Sequence, residues 1–498
     1  MSPLAADELA ALADAALDAA AGCQAAEIRV ERIRSQTVRL HDAQPETTAD
    51  GTDFGMGVRV VDDGAVGFAA SVDVRPEEAA GLVHRARELA RVTRHAGGGR
   101  VELAPEPAHG DVEWSSAFAV DPTTVSMADK IALLADWSRR LGEREVVAHT
   151  SASLLAVSEQ TYLADLNGTR ATQQRVRLLC QLEALALSEA GFETMRTIAP
   201  PVGRGWEYLR GPATAGNWDW DAEIERIPEL LAEKLAAPSV EAGTYDLVVD
   251  PSNLWLTIHE SIGHATELDR AVGYEAAYAG TSFATFDKLN ELRYGSPVMH
   301  VTGDRTVEHG LATVRIDGEG VEGQSFDLVH DGMLVGYQLD RGIAAAMGFA
   351  RSNGCAFADS PMHVPIQRMA NVSLAHSGED GPSTDDLVAG VDRGIYVVGD
   401  KSWSIDMQRY NFQFTGQRFY RIEKGKLAGQ IKDVAYQATT TDFWGAMEAV
   451  GGASTWVLGG AFNCGKGQPG QVAPVSHGCP SVLVRGVNIL NARAESGR

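Results

Sequence analysis

The chain has 498 residues, of which 44% are hydrophobic and 22% charged, and its formal net charge is -24. This length allows roughly two or three domains, and the acidic balance argues against nucleic acid or an anionic membrane as partner, since both bind clustered Lys and Arg. No run of about 18 apolar residues and no signal-peptide pattern occurs, and the five cysteines lack C-x-x-C spacing, which indicates a reducing, cytoplasmic setting.

The first half of the chain predicts helices that enclose strands, in an order that occurs twice. The predicted elements are a helix over 6–21, hairpin strands within 25–71, a helix over 75–95, a linker over roughly 96–124, a helix over 127–142, strands within 145–187 and a helix over about 221–238. The repeated order of helix, strands and helix indicates a weak pseudo-repeat. We therefore expect an N-terminal α+β domain over 1–239.

The sequence pattern of the second half differs from that of the first, because it predicts mostly strands and Gly-rich loops and few helices. From Gly243 onward the pattern predicts a β-rich C-terminal domain over 240–498, with a histidine-bearing helix at its entrance. The predicted fold class is thus α+β throughout, with the candidate chemistry in the second domain.

The stretch "TIHESIGHAT", residues 257–266, resembles the zinc-protease pattern H-E-x-x-H but is one residue longer. His259 and Glu260 are adjacent, and His264 follows His259 by five positions instead of four. A short apolar strand precedes the stretch, and Asp250 is a good N-cap for the helix. Two histidines at this spacing also occur by chance on exposed helix faces, so the pattern alone does not establish a metal site.

The spacing requires a distortion of the helix. Residues five apart on a regular α-helix differ by about 140° in direction and by roughly 7.5 Å along the axis. Two imidazoles so placed cannot both bind one zinc ion at about 2.0–2.1 Å. A π-bulge or an early end of the helix at residues 261–263, with Gly263 adopting the required backbone angles, would allow both to bind.

A catalytic zinc ion also needs a third protein ligand and an open position for water. The residues leave several candidates open, namely Glu267, Asp269, Cys464, His477 and Cys479. Either carboxylate could instead orient a histidine. A structural zinc site with a fourth ligand and a non-haem iron site are further alternatives.

Several stretches together resemble one family. They are "HESIGHATELD", "VRIDGEGVEGQ", "GYQLDR", "PIQRMANV" and "CGKGQPGQ", in this order, with a similar N-terminal part. This combination resembles the TldD branch of the TldD/PmbA (TldD/TldE) metallopeptidases, over nearly the whole chain. Ser261 stands where that resemblance leads us to expect a small residue, commonly glycine.

The resemblance implies roles for individual residues. His259 and His264 would be zinc ligands, Cys464 the third ligand and Glu260 the general base, whereas Cys479 would lie outside the site. A thiolate ligand makes zinc less electrophilic, so we expect modest turnover. The metal motif also argues against a catalytically silent, TldE-like subunit.

The resemblance also implies a partner and a substrate. The chain would work as a pair, with a TldE/PmbA-like subunit or as a homodimer, and would admit extended or unfolded peptide, which adds as a strand to a sheet edge. Five residues could line the peptide channel: Tyr337, Gln338, Arg341, Arg368 and Asn371.

Overall fold

The computed structural model describes residues 5–97, 99–189, 191–467 and 469–495. It confirms the α+β class, with a β-rich second half. The elements of the first half are α1 (Ala6–Ala19), β1 (Ala25–His41), β2 (Gln44–Asp62), β3 (Ala65–Ser71), α2 (Pro76–His95), β4 (Asp111–Ser115), α3 (Met127–Gly142), β5 (His149–Asp165), β6 (Arg170–Ser188), β7 (Gly191–Arg196), α4 (Glu207–Arg210) and α5 (Trp220–Ala236). The two helix–strands–helix units form one sheet of order β3-β2-β1-β5-β6-β4, with β7 paired to β6.

The two faces of this first sheet differ in a way that follows from strand alternation, since successive residues point to opposite faces. Even-numbered apolar residues such as Ile28, Val38 and Leu154 pack under α1, α2, α3 and α5. The odd-numbered positions carry buried charges: Glu27, Arg29, Glu31, Arg59, Glu159, Arg175 and Arg177. That charged face packs against the second half of the chain.

Paired ions and hydrogen bonds compensate these buried charges. Arg59 pairs with both Glu27 and Glu319, and Arg177 Nε donates to the carbonyl oxygen of Leu311 at 3.2 Å.

The region that the sequence predicts to be a linker, residues 96–124, contributes a strand to the same sheet, because β4 pairs in parallel with β6. With only five residues, β4 is too short to show a clear alternation in the sequence.

The described residues of the second half form four further sheets, one of which is the short β12–β13 pair. Its elements are β8 (Gly243–Val249), α6 (Pro251–Ile258), α7 (Leu268–Ala271), β9 (Val301–Asp304), β10 (Ser325–His330), β11 (Met333–Leu334), α8 (Arg341–Ala346), β12 (Ala356–Phe357), β13 (Ile366–Gln367), β14 (Asn371–Leu374), α9 (Thr384–Ala389), β15 (Arg393–Ile405), β16 (Asn411–Glu423), β17 (Lys426–Ile431), β18 (Val434–Thr439), α10 (Thr440–Gly445), β19 (Met447–Val450), β20 (Val457–Lys466), β21 (Gln471–Cys479), β22 (Val482–Asn491) and α11 (Ala492–Glu495). The largest sheet has the order β15-β8-β22-β18-β16-β17, and β19 pairs with β22.

The metal-motif helix α6 begins directly after β8 and lies in the largest core of the protein. Leu254, Ile258 and Ile262 belong to that core, together with Leu247 and Val249 of β8. A sheet of order β11-β10-β9-β14 and the β20–β21 hairpin complete the surroundings. No helix in the described part of the chain is both long and apolar enough to cross a membrane.

Candidate metal centre

The helix that carries the histidines changes its winding within the motif, as the spacing predicts. Asp250 caps α6 by accepting a hydrogen bond from the Ser252 amide at 3.0 Å. One π-helical turn over His259–Gly263 follows α6, and a 3-10 turn over His264–Thr266 follows that. The extra residue of the motif is therefore absorbed by a π-bulge.

Gly263 serves this bulge for a reason other than the predicted one. Its φ of -51° and ψ of -61° are ordinary helical angles that any residue adopts. What the position lacks is space, because a Cβ atom there would lie 2.5 Å from Met369 Sδ and 2.9 Å from Met369 Cε. A side chain at this position would therefore require the buried end of Met369 to move, whereas the backbone angles place no demand on the residue type.

Three side chains converge beside the bulge: His259, His264 and Cys464. Their ligand atoms all lie within 4.8 Å of one another, and all three residues are buried. Cys464 Sγ is 3.6 Å from His264 Nε2. Bonds of about 2.0–2.1 Å to nitrogen and about 2.3 Å to sulfur at a tetrahedral angle give a separation of roughly 3.6 Å. The arrangement fits a zinc ion.

A third histidine fixes the tautomer of His259. His477 Nδ1 lies 2.9 Å from the carbonyl oxygen of Val372, which can only accept, so Nδ1 carries the proton. His477 Nε2 is then an acceptor for His259 Nδ1–H at 2.7 Å. The lone pair of His259 is consequently on Nε2, the atom that remains for a metal.

A carboxylate holds His264 in the same way. His264 Nδ1 hydrogen-bonds Glu267 Oε2 at 2.8 Å, which leaves Nε2 for a metal. Burial opposes ionisation of Glu267, but the Lys466 ammonium and the His264 hydrogen bond hold the pKa of this carboxyl well below its usual range. Lys466 Nζ also donates to Asp269 at 2.8 Å and to Gln367 at 2.6 Å. Glu267 therefore orients a histidine, one of the two roles left open by the sequence.

One strand supplies both Cys464 and Lys466. They lie two residues apart on β20, so their side chains point to the same face. Cys479, the other candidate thiol, donates to the carbonyl oxygen of Pro251 at 3.6 Å and does not belong to the cluster. His477 contacts His259 through Nε2 instead of offering a fourth ligand.

The environment keeps the donors in the forms that a metal can bind. Burial lowers the pKa of His259 well below its ordinary value, and the charges of His264, His477 and Arg409 lower it further. Burial also lowers the pKa of His264 to about 3, so both imidazoles are neutral. Burial raises the pKa of the Cys464 thiol to about 11, so metal binding must displace its proton.

Glu260 lies beside this cluster without joining it. Its carboxylate accepts a hydrogen bond from Arg409 Nη1 at 2.6 Å. Burial raises the pKa of Glu260, and the Arg409 guanidinium opposes that rise. Burial is the main cause of the raised pKa of the Cys464 thiol, and the negative charges of Glu267 and Glu260 raise this pKa further. This arrangement suits a proton-accepting carboxylate more than a ligand of iron.

The five residues predicted to line a peptide channel are buried in the structure. Their polar groups bond protein atoms: Tyr337 Oη with the carbonyls of Ala284 and Thr285, Gln338 with Gly263, Arg341 with Ala104, Arg368 with Cys464 and Gln471, and Asn371 with Asp304. Gln338 Nε2 holds the π-bulge through Gly263 at 2.7 Å, and Arg368 Nη2 holds the Cys464 carbonyl at 2.5 Å. The structure thus gives them positioning contacts, and their contact with peptide stays a prediction.

Ser261, in place of the expected glycine, is built into the bulge. Its hydroxyl donates to the Thr257 carbonyl at 2.5 Å and accepts from Trp444 Nε1 at 2.9 Å. The sequence did not indicate this contact, nor the roles of Lys466 and Arg409. For Lys466 a signal was present, since it follows Cys464 by two residues, but this Gly-rich stretch reads as a loop, whereas the structure forms strand β20 there.

Both halves of the chain match one family of known proteins. Residues 242–491 match the PmbA/TldA metallopeptidase C-terminal domain, and residues 26–90 match PmbA/TldA metallopeptidase domain 1. The chain is 26% identical over 455 residues to a metalloprotease of Methanocaldococcus jannaschii, with coverage of 91% of this chain and 94% of that protein. It is 28% identical over 446 residues to a metalloprotease TldD homolog of Haemophilus influenzae, with coverage of 88% and 86%. The crystal structure of TldE from Thermococcus kodakarensis has the same fold, with a TM-score of 0.73 at 16% identity over 96% of this chain and 99% of that one.

Proposed function

The chain belongs to the PmbA/TldA (TldD/PmbA) metallopeptidase family, and from that premise we propose that it is a zinc-dependent peptidase that hydrolyses extended or unfolded peptides. One observation carries the proposal: His259, His264 and Cys464 offer ligand atoms within 4.8 Å of one another, while protein groups engage Nδ1 of both histidines and so leave Nε2 of each for a metal. Two imidazoles and a thiolate suit zinc and leave one position for water.

The metal and the residues around the cluster would have different roles in hydrolysis. When bound, zinc would polarise a water molecule and the carbonyl of the scissile peptide bond. Glu260 would take the proton from the attacking water and deliver it to the leaving nitrogen. His477 and Glu267 keep the two imidazoles oriented, which is what a ligand set of fixed geometry needs.

The strand that carries Cys464 supports an extended substrate. Among the described strands, β20 pairs with β21 alone, and we propose that an extended peptide adds as a strand at its other edge. Recognition of this kind reads backbone more than side chains. We further propose that the chain works in the cytoplasm as a pair, with a TldE-like subunit or with a second copy of itself, as the family resemblance implies.

The proposal is tested by measuring hydrolysis of a quenched fluorescent, unstructured peptide. The zinc-loaded protein is assayed alone and with a TldE-like chain added. We expect modest turnover that a zinc chelator abolishes and that Glu260→Gln lowers by a factor of about 10² or more. Glu448→Gln, at an exposed carboxylate paired with Arg485, is the matched control and should be fully active. A Glu260→Gln protein as active as wild type would refute the assignment.

A further inference from the structure

The turn between β15 and β16 brings a cation to Glu260. Arg409, in this turn, donates from Nη1 to Glu260 Oε2 at 2.6 Å. Trp403, on β15, lies near enough to this carboxylate to help lower its pKa. Glu260 therefore meets a second segment of the chain, which is more than 140 residues away along the sequence.

The turn holds Arg409 in an unfavourable backbone conformation. Its φ is +62°, in the left-handed region that non-glycine residues rarely adopt. Asp406 organises the turn by accepting from the Gln408 amide at 3.0 Å and the Tyr410 amide at 2.8 Å. Thr440 Oγ1 donates to the Arg409 carbonyl at 2.8 Å. Strain maintained by surrounding contacts is typical of functional positions.

The guanidinium of Arg409 also has an N–H donor without a hydrogen-bond partner among the described residues. Arginine has five N–H donors, and Nε of Arg409 is buried with no hydrogen-bond partner among the described residues. Buried polar groups are nearly always paired, so an unused donor beside a candidate general base indicates a ligand atom that arrives later. That atom must be an acceptor, and a negatively charged oxygen would be bound best.

We propose that Arg409 is a catalytic residue that donates a hydrogen bond to the peptide oxygen on which negative charge develops. This inference rests on the peptidase function proposed above. The same guanidinium would hold Glu260 in place through Nη1 while its unpaired Nε–H meets the substrate. A fixed donor aimed at developing charge is among the largest contributions to catalysis.

The step balances as an ordinary hydrolysis. The water oxygen forms a bond to the carbonyl carbon, the carbonyl π-electron pair moves to the oxygen that Arg409 binds, and Glu260 takes one proton of the water. When the adduct collapses, the C–N bond breaks and this proton passes to the nitrogen. One peptide and one water thus give a carboxylic acid and an amine.

Kinetics of zinc-loaded Arg409 variants test the proposal. Arg409→Ala should keep its zinc and its KM but lose a factor of about 10²–10³ in kcat, and added guanidinium ion should restore part of the rate to this variant. Arg409→Gly, which removes the backbone strain, should melt at a higher temperature than Arg409→Ala and be equally slow. Lys424→Ala is the matched control, because Lys424 is an exposed cation at φ +51° in another hairpin turn. A kcat for Arg409→Ala within about threefold of wild type would overturn the proposal.

A binding measurement separates this inference from the proposed function. A phosphinic peptide carries a tetrahedral anionic centre, so calorimetry should show its affinity falling in Arg409→Ala by about the same factor as kcat. Affinity for the planar peptide, measured in the Glu260→Gln background, should change less than about threefold. Equal affinity of wild type and Arg409→Ala for the phosphinic peptide would overturn the inference. If the wild type hydrolyses no peptide, the peptidase function fails, and the phosphinic titration still decides whether Arg409 binds such an anion.

Discussion

Replacing His477 by alanine should weaken zinc binding although His477 is not a proposed ligand. In the structure His477 accepts from His259 Nδ1 at 2.7 Å and donates to the Val372 carbonyl at 2.9 Å. The variant would leave His259 free to rotate and to place its proton on either nitrogen. A fraction of molecules would then present the wrong atom to the metal.

The magnitude follows from the two hydrogen bonds that are lost. Loss of a group that orients a metal-bound histidine costs a factor of about 10–100 in metal affinity, which equals about 1.4–2.7 kcal/mol. In the metal-free protein, a buried His259 N–H and a buried Val372 carbonyl would each lack a partner, at about 1–3 kcal/mol each. We therefore expect the free energy of unfolding to fall by about 2–6 kcal/mol.

Competition with a chromophoric chelator measures the zinc affinity, and thermal unfolding of the metal-free protein measures the stability. His477→Gln keeps an acceptor for His259 and should fall between wild type and His477→Ala. His309→Ala is the control, because His309 lies outside the described metal cluster and contacts the Gly203 carbonyl. A folded His477→Ala protein that binds zinc within about twofold of wild type would refute this reasoning.

Three further substitutions have expected outcomes. Lys466→Met removes a buried cation shared by carboxylates and should lower the free energy of unfolding by about 3–5 kcal/mol in a urea titration, whereas the same change at exposed Lys424 should have little effect. Burial opposes the charge of Glu159, but Arg175 and Arg177 hold the pKa of this carboxyl at about 2, below the usual 4.5. The ionised Glu159 should therefore contribute about 3 kcal/mol to the free energy of unfolding above pH 4.5, and this contribution should be lost as the pH falls towards 2. Glu159→Gln should flatten this pH dependence. Ser261→Ala leaves the Trp444 indole N–H without its acceptor and should cost about 1–3 kcal/mol; an unchanged melting temperature would contradict that expectation.

The local features of the site could be predicted from the sequence because they depend on neighbours along the chain. Asp250 as helix cap and a distortion of the helix within the motif follow from residue type and spacing, and the structure shows that this distortion is a π-bulge over His259–Gly263. The even-numbered apolar residues of β1 likewise predict a strand with one face in a core. The reason given for Gly263 was wrong, because the atom it avoids belongs to Met369, more than 100 residues away.

Contacts between distant segments could not be predicted. The charges of the first sheet are buried against distant segments: Arg29 of β1 donates to the His363 carbonyl, Arg59 of β2 pairs with Glu319, and Arg177 of β6 donates to the Leu311 carbonyl. His477 on β21 and Arg409 in the β15–β16 turn contact the metal motif. These contacts could not be predicted, because a single sequence does not show which distant segments lie next to each other in the fold. For the same reason the choice of third ligand was left to the family resemblance, among Glu267, Asp269, Cys464, His477 and Cys479.

The zinc content of the purified wild type, Cys464→Ala and Cys479→Ala proteins tests the central claim most directly. Mass spectrometry of protein prepared without chelator should find about one zinc per chain in wild type and in Cys479→Ala, and almost none in Cys464→Ala. Cys479 is the matched control, since it is also buried but lies outside the cluster. Zinc retained by Cys464→Ala, or a folded wild type that binds no metal, would contradict the proposed metal centre.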